Sequence, residues 1–356
     1  MANDVPTRIR ELVDQRVALE AKLQNKSPGD LSDYDHQYEI IQRRLASLFR
    51  DVRADQDRIA VMLELMRILE NRLVYLQNFT VDPTSEHRLF AQLVTRFIDD
   101  IGQTKNSVLT SLEATYYRGV AALYAGDHGR ARQAFGDACA SEESDEANDI
   151  KYKSYVILGH LSHEDEDYAK AKELHDQSMR YTKSENVTAQ ALALKALNAY
   201  ALQDHDEALH LFGEALQLFD PDRPFFNSYF FRNALLFCGA IHFDRRNYEE
   251  AASFYRRVVE NVEPNSFDYF DALSHLGRIA YARDEFDAAA ENFEKAIRTQ
   301  RFSENEYLVD TWFWIARCHL KRNAPAEART YLEKVAATDV RYEKKPQAVE
   351  LLQRIA

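Results

Sequence analysis

One spacing recurs six times between residues 119 and 332: a glycine or alanine, then an alanine twelve positions later, then a large side chain four positions further on. The clearest copies are Gly119/Ala131/Phe135, Gly239/Ala251/Tyr255 and Gly277/Ala289/Phe293. The others are Gly159 with Ala171, Ala196 with Ala208 and Phe212, and Ala316 with Ala328 and Leu332. Small side chains at two such points let helix backbones approach closely, and the large side chain fills the groove beside the crossing. The spacing therefore predicts pairs of antiparallel helices.

Turn-then-helix stretches of matching length accompany the spacing, at Tyr124–Ala131, Arg245–Ala251 and Arg283–Ala289. Together they resemble the tetratricopeptide repeat, whose unit is two antiparallel helices with small residues where they cross. The resemblance covers about residues 108 to 340. It implies an all-α fold, a right-handed α–α superhelix of about six repeats. It departs from the family in its period, because the anchor alanines lie 40, 37, 43, 38 and 39 residues apart instead of about 34. Two copies depart further, with His175 at the large apolar position and Pro325 at a turn.

The N-terminal region carries two amphipathic stripes. Ile9, Leu12, Leu19 and Leu23 predict a first helix that ends near Pro28 and Gly29, and a second stripe begins at Tyr38. The second stripe continues through Ile41, Leu45, Leu48, Val52, Asp55, Ile59, Met62, Met66, Leu69, Leu73 and Leu76. Such a seam predicts one long helix packed as a coiled coil. Because the first helix is too short to cover it, the next helix or a second subunit could cover the rest, which leaves homo-oligomerisation through this coiled coil open.

These patterns predict three regions. Residues 1–105 form the helical hairpin and coiled coil, residues 106–340 the repeat solenoid, and residues 341–356 a terminal capping helix with Val349, Leu352 and Ile355 on its packed face. An aromatic stretch at Phe225–Phe231 lies at a repeat junction, where it either packs between repeats or anchors a partner. Trp312 and Trp314 point to different faces of one helix, and Trp312 matches the core position.

Composition narrows the partners. The formal net charge of −13 gives no attraction to nucleic-acid phosphates or anionic lipid. The sequence shows no secretory leader and no long apolar span, so it predicts a cytoplasmic protein without membrane insertion. Its three widely spaced cysteines provide neither a disulfide framework nor a CxxC metal site, which predicts reduced thiols.

Catalytic and metal motifs are missing, so we expect no enzyme and no cofactor: the chain has no glycine-rich phosphate loop, no HExxH and no GxSxG. The stretch His160–Asp167 gathers imidazoles and carboxylates that could ligate a metal. The repeat alignment places it at a helix end and turn, where solvated acidic residues are ordinary, and we favour that interpretation. Catalysis from a histidine-rich groove stays as a further alternative.

The resemblance implies a binding groove lined by the first helix of each repeat. Carried over by alignment, its residues are Tyr116, Val120, Lys153, His160, His163, Leu197, Tyr200, Asn233, Phe243, Arg278, Tyr281, Phe313 and Arg317. The lysine and asparagine set of the family's carboxylate clamps does not appear. The mixture of aromatic, histidine and arginine side chains suits an amphipathic segment with some acidic residues.

The predicted function is a non-enzymatic adaptor or scaffold that binds a peptide or helix of a partner protein in this groove. The alternative is a regulatory sensor whose N-terminal helices are repositioned when the repeats bind a peptide. That architecture looks like the peptide-responsive tetratricopeptide regulators of bacteria, although no diagnostic residue supports the likeness.

Overall fold

The computed structural model describes residues 5–23, 32–52, 57–58, 60–68, 95, 112–142, 144–182, 185–219, 224–262, 264, 266–299 and 304–355. Regular structure in these ranges is helical, with no residue of them in a β-strand. The all-α prediction is confirmed. The chain divides into two compact units, Met1–Phe231 and Arg232–Ala356, which we describe separately.

The helices of the first unit begin with α1 (Val5–Leu23), α2 (Ser32–Asp51) and a helical segment at residues 60–68. They continue with α3 (Leu112–Tyr124), α4 (His128–Cys139), α5 (Asp145–Glu164), α6 (Tyr168–Ser178), a 3₁₀ turn (Met179–Tyr181), α7 (Glu185–Ala201) and α8 (His205–Leu218). Helix α9 (Pro224–Asp244) contains the division between the units. The second unit continues with α10 (Tyr248–Asn261), α11 (Phe267–Ala282), α12 (Phe286–Thr299), α13 (Glu306–Lys321), α14 (Pro325–Ala337) and α15 (Lys345–Arg354).

Successive helices cross at the small residues that the sequence indicates. A Cβ atom placed on Gly119 would lie 2.8 Å from the Phe135 ring, and one on Gly277 would lie 2.7 Å from the Phe293 ring. Because such distances are shorter than van der Waals contact, a larger residue there must displace the ring. The anchor alanines of the second helices are all fully buried, at positions 131, 171, 208, 251, 289 and 328. The predicted helix pairs are confirmed.

One turn conformation joins the two helices of each pair. Its second residue has a positive φ, at Gly126 (78°), Glu166 (62°), Gln203 (63°), Arg246 (61°), Asp284 (62°) and Asn323 (55°). In the first turn the N–H of Gly126 donates to the Leu123 carbonyl at 3.0 Å, and the N–H of Asp127 donates to the Ala122 carbonyl at 2.8 Å. The other five turns repeat both bonds, which satisfy the last carbonyls of the first helix.

In two copies the longer period reflects longer first helices. Helix α5 has 20 residues and α9 has 21, against 13 in α3. The two irregular copies are also accommodated. Pro325 is the first residue of α14, where a missing N–H costs no intrahelical bond. His175 is 1% exposed and lies over Gly159, in the place that phenylalanine takes in other copies.

The N-terminal stripe is buried, but the helix is not continuous as predicted. Helix α2 ends at Asp51, and Val52 is not helical. Seven residues of the stripe are buried: Tyr38, Ile41, Leu45, Leu48, Val52, Met62 and Met66. Five others lie outside the described residues: Asp55, Ile59, Leu69, Leu73 and Leu76. The candidate covering helix at residues 89–98 also lies outside them, apart from residue 95. Residues 60–68 also bury Val61, Leu65 and Ile68. This segment therefore packs on more than one side, whereas a coiled-coil seam buries a single stripe.

The N-terminal helices pack on the first repeat within the first unit. Their buried side chains form one hydrophobic cluster with α3 and α4 that includes Tyr116 and Phe135. The buried Glu64 pairs with Arg16 of α1 and with Arg67, and Arg67 Nη2 lies 2.6 Å from Glu113 Oε1 of α3. Both apolar and ionic contacts thus join these helices to the repeats, and oligomerisation through them stays a prediction.

Helix α15 packs on α14 at the end of the second unit. Ala348 is fully buried, and Leu352 and Ile355 are partly buried in the same cluster. Arg329 Nη2 also donates to the Ile355 carbonyl at 2.6 Å. The prediction placed Val349 on the packed face, but Val349 is 40% exposed and the preceding residue, Ala348, is buried there instead.

Two predictions about the whole chain can be compared with the structure. Among the described residues, no helix combines the length and apolar character needed to span a bilayer. Cys238 and Cys318 are buried, Cys139 is half-buried, and all three are free thiols. Burial raises the pKa of each thiol to about 12, so they are not reactive thiolates.

Candidate partner-binding faces

The first helices of the hairpins form one row of helices in each unit. Helices α3, α5 and α7 make the first-unit row. Helix α9 from Arg232 onward, α11 and α13 make the second-unit row. All thirteen residues of the predicted groove lie on these rows, and the structure separates them into buried, turn-packed and open positions.

Three of the predicted groove residues are buried, which corrects the sequence-based set. Tyr116 and Val120, 2% and 3% exposed, belong to the cluster shared with the N-terminal helices. Phe313 is 1% exposed and packs on Tyr342, with ring centroids 6.2 Å apart. Their side chains have no surface to offer a partner in this structure, so we leave them out of the faces described below.

Four aromatic or histidine residues, each four positions after a crossing residue, pack at the turn of their own hairpin. The ring of each lies against the first residue of the following helix, with centroid distances of 4.9 Å for His163 and Tyr168, 5.3 Å for Tyr200 and His205, 5.8 Å for Phe243 and Tyr248, and 5.3 Å for Tyr281 and Phe286. All four are half-buried. They therefore support the hairpin and also present one edge on the row.

A hydrogen-bonded histidine cluster lies in the first-unit row. The Asn198 amide oxygen accepts from Nδ1 of His163 at 2.8 Å, and its amide nitrogen donates to Nδ1 of His175 at 2.7 Å. His175 must therefore carry its proton on Nε2 when neutral. Asn198 and His175 are buried, and the exposed His160 lies edge-on to His175 at 5.6 Å.

Burial and this bonding keep His175 uncharged. Burial is the main cause that lowers its pKa from 6.5 to about 3, and the nearby His160 lowers it further. The Val156 carbonyl favours the protonated form, but His175 Nε2 makes no hydrogen bond among the described residues. Across the described residues, no three histidine, cysteine or carboxylate side chains are arranged to hold a metal ion.

Of the remaining first-unit positions, Lys153 and Leu197 are half-buried and His160 is exposed. Lys153 pairs with Asp149 at 3.3 Å and lies 5.9 Å from the centre of the Tyr116 ring. His160 is the most open of the predicted residues of this row.

A charged cluster centred on Asp310 lies in the second-unit row. Its carboxylate pairs with Arg278 and accepts from Trp314 Nε1 at 3.0 Å, from the Tyr342 hydroxyl at 2.7 Å and from Lys344 Nζ at 2.9 Å. Burial alone would raise the pKa of Asp310, but Arg278, Lys344 and Tyr342 outweigh it and hold the pKa below its usual value. The sequence-based set treated Arg278 as available to a ligand, and this cluster shows that its charge is already matched.

A cavity of about 250 Å³ adjoins this cluster between α11 and α13. Asp271, Ser274, Glu306, Tyr307 and Glu343 contribute to its wall. Burial, with Asp268 nearby, raises the pKa of Asp271 to about 6. His275 lies 3.7 Å from Asp271, but burial and Arg278 lower the pKa of His275 to about 4, so it is neutral at pH 7.

An aromatic shelf follows the cavity and consists of Tyr281 of α11, Phe286 of α12 and Trp314 of α13. Tyr281 lies edge-on to Trp314 at 5.0 Å. The Arg317 guanidinium lies 5.0 Å from the centre of the Tyr281 ring and 4.8 Å from that of Trp314, and Lys321 Nζ lies 5.8 Å from that of Phe286. No carboxylate in the described ranges pairs with Arg317 or Lys321.

The last two predicted residues of this row lie on α9. Asn233 is half-buried, and Phe243 contacts His275 at 5.7 Å in addition to Tyr248. The Phe225–Phe231 cluster is described only in part. Phe231 is half-buried and packs edge-on against Phe219 at 5.9 Å, while the side chains of residues 225–229 lie outside the described set.

Sequence reasoning missed Asp310, Trp314 and Lys321. The signal was available, because with Arg317 they are spaced by four, three and four residues and so lie on one stripe of α13. Alignment to the family instead placed Phe313 on the groove. Trp312 was correctly placed on another face, where it packs in the apolar clusters and lies 5.5 Å below Lys334 Nζ.

A tetratricopeptide repeat family model matches residues 194–266 and 274–348. These two stretches carry tetratricopeptide repeats. Repeats of this type are generally protein-interaction scaffolds, and the match indicates no catalytic family. No curated protein matches the sequence.

Solved structures with related folds extend the comparison. The apo form of RapI is 12% identical over 80% of each chain, with a TM-score of 0.60. Yeast Tom70 is 16% identical over 99% of this chain and 64% of its own, with a TM-score of 0.51. BtubC from P. vanneervenii is 14% identical over 68% of this chain and 93% of its own, also with a TM-score of 0.51. At these identities the likeness shows the fold alone, and it confirms the tetratricopeptide-type superhelix as the fold class.

Proposed function

We propose that this chain is a non-enzymatic adaptor that binds a peptide or helix of a partner protein on the second-unit row. The observation that carries the proposal is the aromatic shelf beside a cavity, with Arg317 and Lys321 unmatched by any carboxylate of the described residues. Large aromatic side chains and arginine are the residues that most often dominate binding energy at protein interfaces. A cavity next to them gives a partner side chain a place to be buried.

The first-unit row supports binding less well. Its histidines are bonded to one another through Asn198, and Tyr116 and Val120 are covered by the N-terminal cluster. We therefore keep His160, Lys153, Leu197 and Tyr200 as secondary contacts and assign the main contact to Tyr281, Arg317, Asn233 and Phe243 of the second unit. The formal charge of −13 supports a protein partner in the cytoplasm over nucleic acid.

The two tryptophans provide a test, because they lie on different faces of α13. The Trp312→Phe variant leaves Trp314 as the single fluorophore on the row, and Trp314→Phe leaves Trp312 as the matched control. A partner is first identified by affinity capture from the native cell, purified, and titrated into both variants. We expect it to change Trp314 emission and leave Trp312 emission unchanged. Binding that changes only Trp312 emission, or neither, would contradict the proposal.

A regulatory sensor is the second candidate, favoured by the contacts of the N-terminal helices with the first repeat. A ligand that altered the first-unit row would change those contacts. Small-angle scattering separates the candidates, because a sensor changes its radius of gyration when the partner binds and a static adaptor does not. The same measurement on the free chain gives its mass and so tests self-association.

A further inference from the structure

The aromatic shelf carries an excess of positive charge in a chain whose net charge is negative. Arg278, Arg317, Lys321 and Lys344 lie within 6 Å of its rings. Asp310 matches Arg278 and Lys344 through direct ion pairs. Among the described residues, Arg317 and Lys321 are therefore the two cations of this group that have no ion-pair partner. A partner segment with negative charge would be attracted to this place.

The Arg317 side chain is positioned to bind a carboxylate. Its guanidinium lies near both Tyr281 and Trp314, so its position is restricted before any ligand binds. An arginine fork can donate two parallel hydrogen bonds to one carboxylate, and a restricted side chain loses less entropy when it does so. The rings beside it offer apolar surface to a neighbouring side chain of the same ligand.

Helix geometry sets the spacing of the groups that a ligand must supply. Arg317 and Lys321 are four residues apart on α13, which is about 6 Å along the helix axis. Two acidic residues one turn apart on a ligand helix have about the same separation. Two acidic residues that are two positions apart on an extended peptide are separated by about 7 Å.

We propose that the second-unit row binds an acidic, amphipathic peptide segment, whose carboxylates pair with Arg317 and Lys321 and whose apolar side chains lie on the aromatic shelf. This inference rests on the proposed function and names the chemistry of the partner. Its rival is a purely structural role, because cations near a helix C-terminus interact favourably with the helix dipole. A structural role predicts a change in stability without a change in ligand binding.

The test uses the full chain and two labelled synthetic peptides. One is an amphipathic peptide with leucines on one face and glutamate pairs four residues apart on the other, and the second has lysines in place of the glutamates. Fluorescence anisotropy measures each peptide against wild type, Arg317→Glu/Lys321→Glu and Lys334→Glu. Lys334 is the matched control, since its ammonium also lies near two rings, Trp312 at 5.5 Å and Tyr331 at 5.3 Å, but on α14.

We expect the acidic peptide to bind wild type and Lys334→Glu equally, and to bind the double variant at least about tenfold more weakly. The basic peptide should bind wild type more weakly than the acidic one. The inference would be overturned if the acidic peptide did not bind wild type, or if it bound the folded double variant with equal affinity. It would also be overturned if Lys334→Glu lost as much affinity as the double variant, or if the protein bound single-stranded RNA instead of the acidic peptide. A natural partner that changes Trp314 emission but binds the double variant normally would overturn this inference and leave the proposed function standing.

Discussion

The two units contain buried polar clusters of opposite character in comparable places. In the first unit Asn198 joins His163 to His175 by hydrogen bonds, and burial keeps His175 neutral at pH 7. In the second unit Asp310 joins Arg278 to Lys344 by ion pairs. Both clusters tie one repeat to a neighbouring segment of the chain. The repeat thus specifies the close approach of helices and leaves the chemistry of the contact to individual side chains.

The difference also decides which charges remain for a partner. In the first unit, the Nδ1–H of His163 is donated to Asn198, and Lys153 is paired with Asp149. In the second unit, Asp310 matches two cations and leaves Arg317 and Lys321 over the aromatic shelf. Substitutions in each cluster, in the crossings and in the turns test this difference between the two units.

The largest effect should come from the charged cluster. Asp310→Ala removes one buried acceptor from four donors, and we expect a loss of about 3 kcal/mol in the free energy of unfolding. Asp287→Ala is the control, since that carboxylate also pairs with an arginine, Arg322, at 2.6 Å but is 85% exposed. It should cost less than about 0.5 kcal/mol. Urea unfolding measures both, and similar losses in the two variants would contradict the central place of Asp310.

A smaller effect should come from the crossings beneath the clusters. Gly159→Ala would place Cβ 2.2 Å from His175 Nε2, and Gly277→Ala would place it 2.7 Å from the Phe293 ring. Either change should cost about 2 kcal/mol, because the buried ring must move. Gly136→Ala, with no atom within 4 Å of the new Cβ, should instead gain up to about 1 kcal/mol from helix propensity. If Gly277→Ala were as stable as Gly136→Ala, close approach would not be what the small residues provide.

The histidine cluster should make stability depend on pH through His175. The pKa of His175 falls from 6.5 to about 3 on folding, so between those values the unfolded chain binds the additional proton. The free energy of unfolding therefore decreases as the pH falls through this window, by about 1 to 2 kcal/mol between pH 6.5 and 5.

The variant that removes this dependence is His175→Phe/Asn198→Leu, which restores side chains found at these positions in other copies, such as Phe135 and Leu161. Denaturant unfolding at both pH values should show a smaller loss in the variant than in wild type. His275, whose pKa is lowered to about 4, contributes with the same sign to both proteins, so it cancels in the difference. An equal loss in both proteins would show that His175 is not the group responsible.

The smallest effect should come from the turns. Gln203 has a φ of 63° in the turn between α7 and α8. Gln203→Gly relieves the steric cost of that conformation at the expense of a more flexible unfolded chain, and we expect a gain of less than about 1 kcal/mol. Leu202→Gly, at the neighbouring exposed position without a positive φ, is the control and should destabilise. Calorimetric melting temperatures would decide whether the two substitutions differ in sign.

The fold could be predicted from the sequence because close helix approach needs small residues at a fixed separation. Gly119, Gly277 and the anchor alanines carry that requirement in the sequence itself. The faces could be predicted only in part. Phe313 was placed on the groove by family alignment, but the segment after α14 brings Tyr342 onto it and buries it. That contact depends on tertiary packing, which helix periodicity does not encode.

The charges were predicted less well for the same reason. Arg278 looked available because its partner, Asp310, is 32 residues away and belongs to the next repeat. Likewise His163 looked exposed because Asn198 lies 35 residues later. Periodicity within one helix predicts which residues share a face, whereas the pairing of charges between helices depends on tertiary structure.

The most direct measurement is the emission of Trp314 in the Trp312→Phe variant during titration with the acidic amphipathic peptide. Our account predicts a saturable change that disappears at high salt and is absent when Arg317 and Lys321 are also reversed to glutamate. Saturable binding with unchanged Trp314 emission would place the partner on another surface and contradict the account.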